Sequence, residues 1–365
     1  MKALIMIDSF KGTITSKRLG EITKEELEKK NIDCDYFPIA DGGDGFLDSI
    51  EVFIKAEKVI CKCHDPFFRL IDSYYLYDKE NKTSYIELAK ASGINLVKKE
   101  ELNPFVASTY GLGELIKNAI QLGSKKIVLG VGGSATDDGG TGMLEALGVK
   151  FTNKNGEKIE KISNGKMKEI DNIDVASLKE LIKDIEFLVL NDVTNPLLGE
   201  KGATYIFAPQ KGAKEIDLPI LEDNMRYYST KTKEALGIDE KDYPGSGAVG
   251  GCGFALRSYM KAEFIPGINY LLDLLEKNYD LTKYDVVISG EGRIDNQTLD
   301  GKVVSGITSK FDGKKKILVC ALNELDSIED SVIYSVVPQV ATVDESMNNP
   351  EECYRKLCEL IEIEE

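Results

Sequence analysis

Short apolar, β-branched runs recur along the chain, each bounded by Gly, Pro or Asp: ALIMID (3–8), CDYFPIA (34–40), KIVLGV (126–131), FLVLND (187–192), DVVISG (285–290), KILVCAL (316–322) and VIYSVVP (332–338). Runs this short and this apolar read as strands buried on both faces, and helical patterns such as TKEELEKK separate several of them. The alternation predicts parallel strands joined by crossover helices. Between residues 59 and 97 the pattern changes to longer alternating stretches, VICKCHDPF, LIDSYYLYD and TSYIELA, with KENK as a turn, which predicts an antiparallel hairpin.

At 365 residues the chain exceeds what one hydrophobic core usually supports, about 250–300 residues, so two domains are expected. The strands at 3–8, 34–40, 285–290, 316–322 and 332–338 suffice for a five-stranded doubly wound sheet made from both termini. The hairpin then opens an inserted mixed α/β domain. The expected division is 1–64 plus 281–365 for the discontinuous domain and 65–280 for the insert.

Charge and residue usage narrow the chemistry. A net charge of −16 without a Lys/Arg cluster argues against nucleic acid, and no apolar run approaches the ~20 residues that span a bilayer. Seven scattered cysteines fit reduced thiols in a cytoplasmic protein better than a disulfide framework. With His64 the only histidine, a Ser-His-Asp hydrolase, a two-histidine zinc protease and an H-R-D kinase are excluded. The chemistry must run on carboxylates, lysine, arginine and backbone.

Five predicted strands end in acid and glycine: DSFKGT, DGGDGF, GGSATDDGG, DVTNPLLG and GEGRIDNQ. In open α/β sheets ligands sit outside the carboxyl ends of the strands, where glycine lets backbone approach and helix N-termini offer free N–H groups. One such segment is an ordinary turn, but five point to a site. In GVGGSATDDGG, Gly132, Gly133, Gly139 and Gly140 permit close approach. Ser134 and Thr136 offer hydroxyls and, with Ala135, backbone donors, so the loop reads as a phosphate cradle without a Walker lysine. Asp137 and Asp138 read either as helix N-caps or as Mg²⁺ ligands. The second glycine-rich segment, YPGSGAVGGCGFAL (243–256), reads equally as tight helix packing or as ligand contact. Among the cations beside glycines, Lys11, Lys211, Arg293 and Lys302, the first and third are the best anion-binding candidates. Arg293, between Glu291 and Asp295, is either an anion clamp or an ion-paired strut.

Taken in order, IDSFKGTITS, PIADGGDGF, GVGGSATDDGGTGMLEALG, NDVTNPLLGEKGATYIFAPQKGA, PGSGAVGGCGFAL and ISGEGRIDNQTLDGK make the chain resemble the bacterial glycerate kinase family over nearly its whole length. The resemblance implies an α/β fold, a flavodoxin-like doubly wound parallel sheet with an inserted mixed α/β domain. It also implies ATP- and Mg²⁺-dependent phosphorylation of D-glycerate, most often to 2-phosphoglycerate. Asp44 and Phe46 depart from the family's usual Glu and Thr, and Asp138 from its usual Asn, which bears on substrate fit rather than reaction class.

Phosphoryl transfer needs positioning, a metal, cations on the moving charge and a carboxylate that orients the attacking hydroxyl. On that chemistry Lys11 and Arg293 are assigned to phosphate or to the glycerate carboxylate, and Ser134 with its glycines to nucleotide phosphates. Asp192 or Asp295 is assigned to the hydroxyl or to Mg²⁺, with Asp137 a second metal candidate. Asp8, Ser9, Asp41, Gly42, Gly43, Gly132, Gly133, Ala135, Thr136, Asn195, Lys211 and Glu291 complete the expected substrate and nucleotide set. A metal-dependent phosphatase, with water as acceptor, is the alternative. The expected partners are D-glycerate and ATP, with no nucleic acid and no membrane; oligomeric state is left open.

Overall fold

Strand β1 (Lys2–Ile7) is buried almost along its length, which is why its sequence carries no polar alternation. It belongs to a computed structural model that describes residues 1–40, 42, 43, 45–299 and 303–363. The chain divides into two units, one of Met1–Asp41, Asp48–Ile54 and Pro266–Glu365, the other of Gly42–Leu47 and Lys55–Ile265.

In the first unit β1, β2 (Asp33–Tyr36), β11 (Val286–Ile294), β12 (Lys315–Asn323) and β13 (Ser331–Ser335) form a wholly parallel sheet in the order β13-β12-β11-β1-β2. Counted along this unit alone, that is the 2-1-3-4-5 order of flavodoxin-like sheets, with the switch point between β1 and β11. On one face Leu19 and Ile22 of helix Ser16–Glu28 and Leu357 of helix Pro350–Leu360 share a core with Ile5, Ile288 and Val319. The two helices are joined by a hydrogen bond of 2.7 Å between the Thr23 and Tyr354 hydroxyls. On the other face Leu318 and Cys320 pack with Val304 of helix Val303–Lys310.

In the second unit β3 (Glu57–His64), β4 (Leu70–Asp78), β5 (Thr83–Glu87), β6 (Lys126–Gly130), β9 (Glu186–Leu190) and β10 (Glu263–Ile265) form a mixed sheet in the order β10-β9-β6-β5-β4-β3. It is antiparallel across β3, β4 and β5 and parallel across β5, β6, β9 and β10. The short pair β7 (Lys150–Thr152) and β8 (Asn172–Asp174) stands apart from it. KENK turns between β4 and β5, where the Asp78 carboxylate accepts from the Asn81 N–H at 3.0 Å. Leu112, Leu115 and Ile116 of helix Tyr110–Leu122 fill the core against Tyr75, Ile86, Ile127 and Leu129.

Two expected boundaries move. Residues 57–64 pair along their whole length with β4, so β3 lies in the six-stranded sheet and the crossing falls near 55 rather than 65. Helix Gly267–Asn278 lies against the first unit's own helix, with Ile268 close to Gly306, so the return falls at 266 rather than 281. All seven cysteines are free thiols. No helix of the described residues is long and apolar enough to cross a membrane.

Candidate active site

Because β1 and β11 are neighbours in register, Ile7 opposite Gly290, the segment that follows β1 leaves the sheet at its switch point beside the last residues of β11, Glu291–Ile294, which continue paired with β12. The Asp8 N–H donates to the Gly290 carbonyl at 2.9 Å, and the Asp8 carboxylate accepts from the Ser9 N–H at 2.7 Å. Next comes a tight turn: the Thr13 N–H reaches the Phe10 carbonyl at 2.9 Å, and Gly12 holds φ +79°, a position only glycine fills without strain. The turn lifts Lys11 to an exposed position at its tip.

These segments line a cavity of about 380 Å³ that contains Asp8, Ser9, Lys11, Glu291, Arg293 and Asp295. Sequence reasoning named all six. It missed Ser346, Met347 and Pro350, which line the same cavity from the far end of the chain and carry no motif. It also missed Glu324, whose carboxylate accepts from the Arg293 guanidinium at 2.5 Å. Asp295 lies 3.6 Å from the same guanidinium. Of the two readings of Arg293 the geometry gives the ion-paired one, and Glu324 first, then Asp295, holds its charge. Its side chain is still 57 % exposed, so an arriving anion competes with Glu324 for it.

In the second unit β6 and β9 are parallel neighbours, Gly130 opposite Leu190, so the loop at 131–140 and the segment at 191–197 leave together. Gly43 is packed here as well: a Cβ on Gly132 would lie 2.5 Å from its Cα. Gly42, Gly43, Gly132, Gly133 and Asp192 therefore gather at one end of this sheet. The expected residues Asp41 and Lys302, and the departure at Asp44, lie outside the described residues.

The side chains of the loop itself turn inward. Ser134 is 5 % exposed and Ala135 and Thr136 are fully buried. Their hydroxyls do not face solvent, so an anion at this loop would meet glycine backbone rather than the side chains expected to bind it. Lys211 is corrected in the same way: at 2 % exposure its ammonium donates to the Ser134 hydroxyl at 2.8 Å and to the Thr136 carbonyl at 2.6 Å. Asn195 braces its own loop by donating to the Lys201 carbonyl at 2.8 Å.

The two loop aspartates separate clearly. Asp138 is the cap: its carboxylate accepts from the Thr109 N–H and hydroxyl, each at 2.8 Å, and from the N–H groups of Gly140 and Gly142, each at 3.2 Å. It thus ties the starts of helices Tyr110–Leu122 and Thr141–Ala146 together. Burial pushes its carboxyl up, and these donors pull back toward the ionised form. Asp138→Asn puts an NH₂ where one oxygen accepted, most simply opposite the Gly140 N–H. A destabilisation of about 1–3 kcal/mol is expected, read as a lower denaturation midpoint at unchanged slope.

Asp137 is also fully buried, and it accepts from Thr204 at 3.1 Å and from Asn164 at 3.4 Å. Burial raises its carboxyl pKa against the opposing charge of Lys211. Enclosed beside an ammonium, it does not fit a Mg²⁺ ligand. Asp192, a half-buried hard-oxygen donor two residues beyond β9, does fit one when phosphate oxygens complete the shell. Among the described residues no three His, Cys, Asp or Glu side chains are grouped to hold a metal alone.

Comparison with known proteins gives the family and the fold. The model of the family described as the glycerate kinase family matches residues 3–362. The glycerate 2-kinase of Escherichia coli is 34% identical, covering 98% of this chain and 95% of the relative. The glycerate kinase of Halalkalibacterium halodurans is 35% identical, covering 94% and 93%. A solved structure described as a glycerate kinase 2, from Salmonella typhimurium, superposes with a TM-score of 0.78 at 31% identity, covering 98% of this chain and 96% of that one.

Proposed function

The chain belongs to the glycerate kinase family, and from that membership we propose that it transfers the γ-phosphoryl group of ATP to D-glycerate, giving 2-phosphoglycerate. The observation that carries the reading is a family match from residue 3 to residue 362, inside which the acid-and-glycine segments stand at the carboxyl ends of two parallel strand sets. The relatives named are kinases, and the phosphatase alternative finds no support in them.

In this reading Lys11 and Arg293 meet the glycerate carboxylate or the moving phosphoryl group. The Asp295 carboxylate orients the attacking hydroxyl and takes its proton as the bond to phosphorus forms. The glycine backbone at 132 and 133, with Gly42 and Gly43, approaches the nucleotide phosphates. Mg²⁺ would be held by Asp192 with phosphate oxygens and would supply charge neutralisation at the transferred group. Asp8, Ser9 and Glu291 shape the glycerate side. The cytoplasm, where ATP and reduced thiols are available, is the proposed compartment.

ADP release should require both D-glycerate and Mg²⁺, and NMR of the product should show the phosphate on the 2-hydroxyl. ADP formation no higher than a glycerate-free blank would sink the proposal. A 3-phosphate product would correct its position while leaving the reaction in place.

A further inference from the structure

Lys211 and Asp137 are both buried in the second unit, where each feels the other's charge, and neither has an evident role in the chemistry proposed above. Lys211 ends the short helical turn Pro209–Lys211, and the Gly212 after it, at φ +96°, packs against the Leu102 backbone. The turn aims a compact ammonium at the loop after β6, where it holds two points two residues apart, the Ser134 hydroxyl and the Thr136 carbonyl. Arginine's planar fork does not suit two acceptors approached from one small buried point, whereas an ammonium does. A lone buried cation is costly, and Asp137 supplies the balancing charge. The carboxylate is fixed by Thr204 and by Asn164, which is itself gripped by Asn224 at 3.0 Å and donates to the Leu221 carbonyl at 3.1 Å. The charged and titratable groups facing the ammonium are Asp137, Asp138 and Cys252. Elements at 164, 204 and 211 thus converge on one four-residue stretch, 134–137, preceded by Gly132 and Gly133, with Asn224 behind Asn164.

We propose that Lys211 is a positioning residue for nucleotide binding: it clamps Ser134 and Thr136 so that the glycine backbone before them is presented ready-made, and Asp137 is the counter-charge that lets the clamp be buried. The role rests on the reading of this loop as the nucleotide-phosphate loop. A preformed loop spares the ligand the cost of ordering it, so losing the clamp weakens nucleotide affinity more than turnover.

The test measures the Kd of a non-hydrolysable ATP analogue by calorimetry, the KM for ATP, kcat and Tm in wild type, Lys211→Met, Asp137→Asn, the double variant and Ser134→Ala. Each single change at the pair strands a buried charge, so each lowers Tm, and the double variant, which strands neither, recovers most of that loss. Nucleotide Kd and KM for ATP nevertheless stay raised about tenfold or more in the double, with kcat changed less than about threefold. Ser134→Ala, which loses one of the two clamp points and folds in any case, raises Kd two- to fivefold. A double variant that recovers wild-type Kd along with Tm overturns the proposal, as does a Ser134→Ala Kd equal to wild type or a change confined to the KM for glycerate. A wild type that binds the analogue but does not phosphorylate glycerate defeats the functional reading and leaves the clamp standing. A wild type that binds no nucleotide defeats both.

Discussion

Lys11→Ala is expected to lower kcat/KM for glycerate phosphorylation by on the order of 10²- to 10³-fold while moving Tm by no more than about 2 °C. The two halves of that expectation have separate causes. Lys11 is exposed at the tip of the turn closed by Thr13 and Phe10, so truncating it opens no void and leaves the turn's backbone bond in place. What it does remove is a cation from a cavity that also contains Asp8, Glu291 and Asp295. Three carboxylates around a site for an anionic substrate repel it, and the other cation there, Arg293, is already engaged by Glu324 and Asp295. Lys11, exposed at the tip of its turn, is a second cation in the cavity that can offset the charge of an incoming carboxylate or of the phosphoryl group in flight. The kinetic constants tell these apart: a loss mainly in KM for glycerate assigns Lys11 to the carboxylate, and a loss mainly in kcat assigns it to the transferred group. Kinetics within threefold of wild type would return Lys11 to an ordinary solvated turn.

How much of this was legible beforehand depended on whether the physics was local. The central strands β1, β6, β9, β11 and β12 are buried along most of their length and so carry continuous apolar runs. The segments after β1 and β6 turn tightly and so carry glycine, Gly12 at φ +79° and Gly133 at φ +64°. Those signals sit within a few residues of one another. The strand β3 was harder to place, because its alternating pattern is the same whichever sheet receives it, and only its pairing with β4 decides. The strands β7 and β8 are three residues each, too short for any period to show. The site was misread where the deciding partner was remote. A lysine beside glycine reads as exposed, yet the Ser134 hydroxyl that receives the Lys211 ammonium is 77 positions away, and burial rather than spacing sets its role. Asp137 and Asp138 are neighbours with the same side chain. The donors that make one of them a cap, at Thr109, lie 29 positions back in the chain.

The glycine-rich segment at 243–256 had two balanced readings, packing or ligand contact, and it yields the second large expectation: Gly250→Ala should lower Tm by about 4–20 °C and abolish most activity. Val249, Gly250 and Gly251 follow one another in the left-handed region at φ 48°, 65° and 82°. A valine there is already costly, so the segment carries strain before any substitution. A Cβ on Gly250 would sit 2.0 Å from the Thr136 carbonyl oxygen and 2.7 Å from the Asp137 Cα. Neither is the end of a flexible side chain; both are backbone of the loop after β6, and the same Thr136 oxygen receives the Lys211 ammonium. The methyl group cannot be accommodated without moving that loop, and moving it also strains the bond from the Gly139 N–H to the Gly250 carbonyl, 2.9 Å. Left-handed strain of about 1–2 kcal/mol and overpacking of about 1–3 kcal/mol add to a cost of about 2–5 kcal/mol. In a unit of this size each kcal/mol moves Tm by about 2–4 °C. Gly156→Ala supplies the control: it has φ +78° but nothing within 4 Å of the added carbon, so it carries the conformational cost alone. Scanning calorimetry of the two variants side by side separates backbone strain from the clash. If Gly250→Ala melts within about 2 °C of Gly156→Ala and retains activity, the segment does not wall the loop, and the ligand-contact reading of its glycines takes precedence.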